Sequence, residues 1–151
     1  MSRRWLFKEE PTHYSFAEFV RDGATRWNGV ANNLALRNLR EARPGDLFFY
    51  YHTGDEKAVV GIGRVTSAPY PDPDADDPRL VALDVVPVAA LARPVSLAEI
   101  KREPELADFE LVRLPRLSVM PVSEQQWAHI EGMARRAPTT ATGGRKGRVR
   151  D

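Results

Sequence analysis

The 151-residue chain has no cysteine, so it carries neither a disulfide framework nor thiolate chemistry, a pattern that agrees with an intracellular protein. No apolar run approaches the ~20 residues that a membrane-spanning helix needs. At the N-terminus, Met1-Ser2-Arg3-Arg4 leads into Trp5-Leu6-Phe7, which is soon followed by Lys8, Glu9 and Glu10 and is too short for a secretory core. The expectation is therefore a cytoplasmic protein with no membrane partner. Histidine is scarce as well: His13, His52 and His129 are widely separated, with no second ligand at a metal-binding spacing, so no metal is expected. Catalytic signatures are equally sparse. Ser118 has no glycine-rich elbow around it, and Gly61-Ile62-Gly63 lies inside a strand with no helix after it, which argues against a dinucleotide loop. These glycines read instead as a place where the sheet coils or another backbone comes close. Nothing nominates an acid–base pair, and the expectation is a protein that is not an enzyme.

What is present is the composition of an ordinary soluble domain, 42% hydrophobic and 28% charged. The length suits one domain with a sizeable core. The net charge of +1 conceals an uneven distribution, because residues 135–151 hold six Arg or Lys against Asp151. That segment carries +5, leaving −4 on residues 1–134. It is also rich in Ala, Thr, Pro and Gly, and is expected to be a disordered basic tail, either supplying sequence-independent phosphate contacts or serving as a solubilising extension. The opposite sign gathers in Pro71-Asp72-Pro73-Asp74-Ala75-Asp76-Asp77-Pro78. This segment lacks the glycine and terminal glutamate of a calcium loop, and its prolines keep the carboxylates from converging on one ion. It reads as a solvated loop.

Punctuation along the chain predicts alternating strands and short helices. Residues 4–8 form an apolar strand that stops before Pro11. Ser15 and Glu18 make a capping box, with Tyr14 and Phe19 as a hydrophobic staple, for a helix ending at Gly23. A turn at Trp27-Asn28-Gly29 precedes a helix over 33–42 that Pro44-Gly45 stops. An aromatic strand, Leu47-Phe48-Phe49-Tyr50-Tyr51-His52, then pairs as a hairpin with Ala58–Val65. Residues 80–91 form a valine-rich strand that Pro87 places at an edge or a bulge. Capping boxes at Ser96/Glu99 and Ser123/Gln126 open two more helices, and Leu111–Leu114 and Leu117–Met120 are expected as strands parted by Pro115. Five or six strands with four short helices suggest an α+β domain built round a small curled sheet or barrel.

The order of several fragments is specific. Trp5-Leu6-Phe7-Lys8 with Glu10-Pro11, Tyr14-Ser15, Thr25-Arg26-Trp27 with Gly29-Val30 and Asn32, and Gly45-Asp46-Leu47 with Phe49-Tyr50 follow one another in a fixed arrangement. Gly61-Ile62, Ala68-Pro69-Tyr70-Pro71-Asp72, and Arg116 through Ser123 before Trp127 continue it. From about residue 4 to 131 this arrangement resembles the EVE domain. The resemblance implies a PUA-like fold, a small curled mixed β-barrel over residues 1–134, in the superfamily of the PUA, YTH and SRA modules. It implies a pocket for a flipped, chemically modified base in DNA or RNA, with no cofactor. The chain is expected to be a monomer.

Holding one base requires flat apolar faces and hydrogen-bonding groups on its edge. Trp27 is the first candidate for a wall, or a core tryptophan that closes the barrel. Asn32 either caps the helix that follows or offers its amide to a base edge. Tyr51 and His52 stand as the opposite wall or a phosphate contact at the pocket rim, while strand alternation turns Tyr50 to the core. Lys8 is similar to the YTH-type lysine beside the pocket. Ser118 donates to the base or closes a turn, and Met120 reads as core. Where the family commonly has Lys-Ser-Glu-Pro and Val-Arg-Asn, this chain has Lys8-Glu9-Glu10-Pro11 and Val30-Ala31-Asn32. A carboxylate at Glu9 would accept from an exocyclic amine, favouring cytosine- or adenine-type bases. The functions left open are a reader of modified bases, an enzyme or accessory subunit acting on a nucleotide-like small molecule, and a protein–protein scaffold.

Overall fold

The computed structural model describes residues 2–136. Most of the expected basic tail, from residue 137 on, lies outside the described residues. Seven strands form one mixed sheet in the order β2-β6-β4-β3-β1-β7, with β5 attached to β6. Strand β1 (Arg4–Glu9) runs parallel to β3 (Leu47–His52), pairing Arg4 with Leu47 and Glu9 with His52 at its two ends. The remaining pairs are antiparallel: β3 with β4 (Ala58–Val65), β4 with β6 (Val81–Ser96), and β7 (Val119–Pro121) with β1. The short β2 (Thr25–Trp27) and β5 (Tyr70–Pro71) add to the 16-residue β6. Register shifts at Tyr50/Tyr51, Val59/Gly61 and Ile62/Gly63 bend the sheet into a strongly curled half-barrel. Gly63 pairs with Pro87 at the last of these shifts, so Pro87 occupies a bulge.

Among the described residues five short α-helices flank the sheet: α1 (Phe16–Asp22), α2 (Asn33–Glu41), α3 (Leu97–Lys101), α4 (Glu110–Arg113) and α5 (Glu124–Ala134). The three capping boxes are formed as the sequence predicts, Ser15 with Glu18, Ser96 with Glu99, and Ser123 with Gln126. Gly23 ends α1 at a φ of 77°, a left-handed conformation that glycine adopts without steric cost. Among the described residues no helix is long and apolar enough to cross a membrane.

Trp5, Leu6 and Phe7 are consecutive and fully buried, so both faces of the sheet are covered at β1. On one face Phe48 and Tyr50 meet Phe7, Trp27 and the α1 rings Phe16 and Phe19. On the other Phe49 stacks on Trp127 of α5, with centroids 3.7 Å apart and planes 10° from parallel. The glycines of β4 make room for this packing. A Cβ on Gly61 would stand 2.3 Å from the Phe16 ring, and one on Gly63 at 2.3 Å from Phe48, so a ring rather than a second backbone makes the close approach. Buried Asp46 ties the first strand to the hairpin by accepting from Arg3 N, Trp5 Nε1 and Arg43 N, each at 2.9 Å.

Three local expectations are corrected. Residues 111–114 are not a strand: Glu110–Arg113 form the single turn α4, which stops at Leu114 because Pro115 pushes it out of the helical region (φ −126°, ψ 75°). A four-residue apolar run carries no period that separates strand from helix, and burial of Phe109 and Leu111 decides in favour of the turn. The two small strands β2 and β5 were not foreseen, since three and two residues are too few to show alternation. The third concerns Tyr51 and His52, expected at a rim. They are 3% and 8% exposed, because β3 is the middle strand between β1 and β4.

Candidate functional site

Glu9 ends β1 and Trp27 ends β2, and the two side chains wall one cavity of about 180 Å³. His13, Tyr14, Arg26 and Asn28 supply most of the rest of its lining. Trp27 is both core and wall. Its ring is tilted against Phe7 at 5.3 Å and stands edge-on to Tyr50 at 5.4 Å, while the little surface it retains bounds the cavity. A ring so held is a rigid flat face.

Glu9 brings a carboxylate to that face. Its Oε2 accepts from Glu10 N at 3.2 Å and lies 2.7 Å from His13 Nδ1, and Oε1 has no partner among the described residues. The hydrogen bond to Glu9 raises the pKa of the exposed His13 imidazole above its ordinary 6.5. The site therefore offers an acceptor whose neighbour can carry a positive charge.

Lys8 is placed differently. Strand alternation turns it away from the cavity, and its Nζ donates to Pro115 O at 2.9 Å while sitting 5.5 Å from the centroid of the Tyr51 ring, its partner in register. Burial lowers the Lys8 pKa below 10.5 and pushes the Tyr51 phenol up to about 12. Pro115 in turn lines a second, largely apolar cavity of about 310 Å³ with Asn32, Leu34, Leu114, Arg116 and Leu117. Asn32 Oδ1 accepts from Ala35 N at 3.0 Å, so it caps α2, and its Nδ2 has no partner among the described residues. Ser118 meets Lys8 through the backbone, accepting from Lys8 N at 2.9 Å, and lines neither cavity.

His52 has a structural task. Its Nε2 accepts from Phe16 N at 3.0 Å, satisfying the first amide of α1, and its Nδ1 therefore carries the proton toward Glu56 Oε1 at 2.7 Å. Both ring nitrogens are engaged, which takes His52 out of the rim. Of the seven residues expected at the site, Glu9 and Trp27 share one cavity. Asn32 lines the other, which Lys8 touches only by its bond to Pro115 O, and Tyr51 lines neither. The sequence reading missed His13, Tyr14, Arg26 and Asn28. The available signals were the four-residue step from Glu9 to His13 and the two polar residues flanking Trp27.

A larger cavity of about 500 Å³ opens at the other end of β1, lined by Arg3, Arg4, Asp108, Glu110 and Glu124 among others. It mixes charges of both signs and has no aromatic face to hold a base. Among the described residues, one group has ligand atoms close enough to share a metal ion: Glu103, Glu105 and His129, all within 4.8 Å of one another. His129 Nε2 lies 2.6 Å from Glu103 Oε1, on the side of α5 and away from the Trp27 cavity.

A sequence model of the EVE domain matches residues 3–133. The chain belongs to the EVE domain family. A crystal structure of a protein from Agrobacterium tumefaciens is similar at a TM-score of 0.86 and 34% identity, over 89% of this chain and 94% of that one. The human THYN1 protein, solved in complex with DNA containing 5-methylcytosine, matches at a TM-score of 0.82 and 24% identity, over 91% of this chain and all of that one. A YTH domain from Zygosaccharomyces rouxii, solved in complex with N6-methyladenosine RNA, matches at 0.58 and 16%, over 93% and 92%. At these identities the last two speak to the fold, which is the PUA-like half-barrel described above. Within the EVE domain, the Trp27 and Glu9 strand ends meet on one side of that half-barrel.

Proposed function

We propose that this EVE domain is a binding module for a modified nucleobase in DNA or RNA, taken out of its stack and seated in the cavity between Trp27 and Glu9. The observation that carries this reading is the convergence of Trp27, its ring held in place by Phe7, Phe48 and Tyr50, and of Glu9 on a cavity of about 180 Å³. Drug-sized ligands occupy roughly 300–1,000 Å³. The smaller space suits a single flat base with its sugar and phosphate left outside. The 5-methylcytosine DNA bound by the human THYN1 protein supports the ligand class. Glu9 narrows it further: its Oε1, without a partner among the described residues, would accept from an exocyclic amine, so bases that keep such an amine, of the cytosine and adenine type, are favoured.

Binding rather than turnover is the reading for this site. Glu9 and His13 form a hydrogen-bonded pair, yet the His13 side chain is 78% exposed and its Nε2 has no partner among the described residues. A catalytic base is ordinarily fixed by a third group. The test is fluorescence anisotropy with short oligonucleotides, single-stranded and duplex, each carrying one modified cytosine or adenine, against matched unmodified strands. We expect at least one modified strand to bind about tenfold tighter, a difference of ~1.4 kcal/mol. Equal affinity across the panel, or turnover of free nucleosides, would overturn the reading.

A further inference from the structure

Arg26 and Asn28 flank Trp27, line the same cavity, and both reach the acidic loop. Arg26 Nη1 donates to Asp74 Oδ2 at 2.9 Å and Arg26 Nε donates to the Tyr70 hydroxyl at 3.2 Å. The Tyr70 hydroxyl in turn donates to Asp84 Oδ1 at 2.6 Å. Asn28 Nδ2 lies 3.5 Å from the same Asp74 oxygen and 3.3 Å from Asp72 Oδ1. The loop is not loosely solvated at this point. Asp72 is 8% exposed, and its Oδ1 accepts from Asp74 N at 3.0 Å, which fixes the backbone that presents Asp74. The Asp74 side chain itself is 67% exposed and that of Arg26 41%.

A guanidinium and a carboxamide thus converge on one anionic oxygen at the lip of the cavity, on the edge strand β2. This is the donor set that grips a phosphate oxygen, with Arg supplying charge and geometry together. We propose that Arg26 and Asn28 form the phosphate subsite for the nucleotide whose base enters the Trp27 cavity, and that Asp74 occupies this subsite in the free protein as a built-in competitor. The proposal rests on the base-binding reading above for its location, and it adds a claim about the backbone. An incoming phosphate displaces the Asp74 carboxylate from Arg26. Because Asp72 holds the loop independently through Asn28 and the Asp74 amide, the release does not require the loop to unfold.

The test separates backbone affinity from base discrimination. Full-length wild type, Asp74→Asn, Asp76→Asn and Arg26→Ala are titrated with an unmodified and a base-modified oligonucleotide at several salt concentrations. Asp76 lies in the same loop, is exposed and has no partner among the described residues, so its variant removes the same charge without breaking the contact. An exposed ion pair is worth up to about 1 kcal/mol, so Asp74→Asn is expected to tighten binding to both oligonucleotides by roughly 3- to 5-fold. Asp76→Asn should do clearly less. Arg26→Ala should weaken both and make the salt slope shallower by about 1, and Asp74→Asn should add nothing on that background. Equal gains from Asp74→Asn and Asp76→Asn, or no change in slope for Arg26→Ala, would overturn the subsite. Failure of the wild type to prefer any modified strand would overturn the base-binding reading instead, while the ordering of the variants on unmodified strands still decides this one.

Discussion

Glu9 Oε2 lies 2.7 Å from His13 Nδ1, one turn further along the chain, at the wall of the cavity that Trp27 closes from behind. The pair makes His13 a reporter of Glu9. Because the hydrogen bond raises the pKa of His13 in the folded protein above 6.5, the stability it contributes is fully present below that ordinary value and fades as pH rises through the folded value. Glu9→Gln is expected to bring the His13 titration back toward 6.5, followed by two-dimensional NMR of the imidazole protons. An unchanged titration in the variant would mean the carboxylate does not hold the ring. The same substitution should reorder the affinities for modified bases, since it replaces an acceptor oxygen by an amide donor.

Trp27 packs on Phe7, Phe48 and Tyr50, so its removal damages the fold before it tests the site. Trp27→Ala is expected to cost about 3–5 kcal/mol in urea unfolding. Trp27→Phe keeps a ring in the core while shrinking the cavity wall, and is the variant to compare for modified-base preference. A loss under ~1 kcal/mol for the alanine variant would show that the indole is not part of the core.

The elements legible in the sequence are those set by local rules. The capping boxes at Ser15, Ser96 and Ser123, and the stop at Gly23, depend on residues three or four apart, and all four form. The aromatic hairpin was legible too, but the burial of its end was not. Whether His52 faces a ligand or α1 depends on β1 pairing in parallel with β3, a contact more than forty residues apart in the chain. The site shows the same division. Trp27 and Glu9 stand out singly from the order of motifs, whereas their meeting, and the hold of the acidic loop on Arg26, exist only once β2 has joined β6 and β5 has brought the loop beside it.

Asn32 serves as the N-cap of α2 with its oxygen, and its amide nitrogen has no partner among the described residues, so the two uses are separable. Asn32→Asp retains the capping oxygen and should leave stability within ~0.5 kcal/mol of wild type, whereas Asn32→Ala should lose about 1 kcal/mol. If the amide also reads a ligand, the aspartate variant binds modified strands more weakly at unchanged stability. Unchanged binding would confine Asn32 to the helix start.

Gly61 faces the Phe16 ring, with space for no side chain. Gly61→Ala is expected to destabilise by about 1–3 kcal/mol through overpacking, with the ring or the bulge displaced. Chemical denaturation measures it, and a change below ~0.5 kcal/mol would show that β4 and α1 can separate freely. Since α1 also carries His52's hydrogen-bond partner, a shift of the helix should appear in the His52 resonances.

The three tryptophans give the central claim its most direct test. Trp5 donates its indole N–H to buried Asp46 at 2.9 Å, Trp127 is stacked on Phe49 in the core, and Trp27 alone of the three borders the Trp27–Glu9 cavity. The indole N–H signals are followed by NMR while an oligonucleotide with one modified base is added, and again with its unmodified counterpart. Seating of the base predicts that the Trp27 signal shifts with the modified strand at concentrations where the unmodified strand leaves it in place, and that Trp5 and Trp127 stay. A Trp27 signal that does not move, or that moves equally with both strands, would contradict the assignment of this cavity to a modified base.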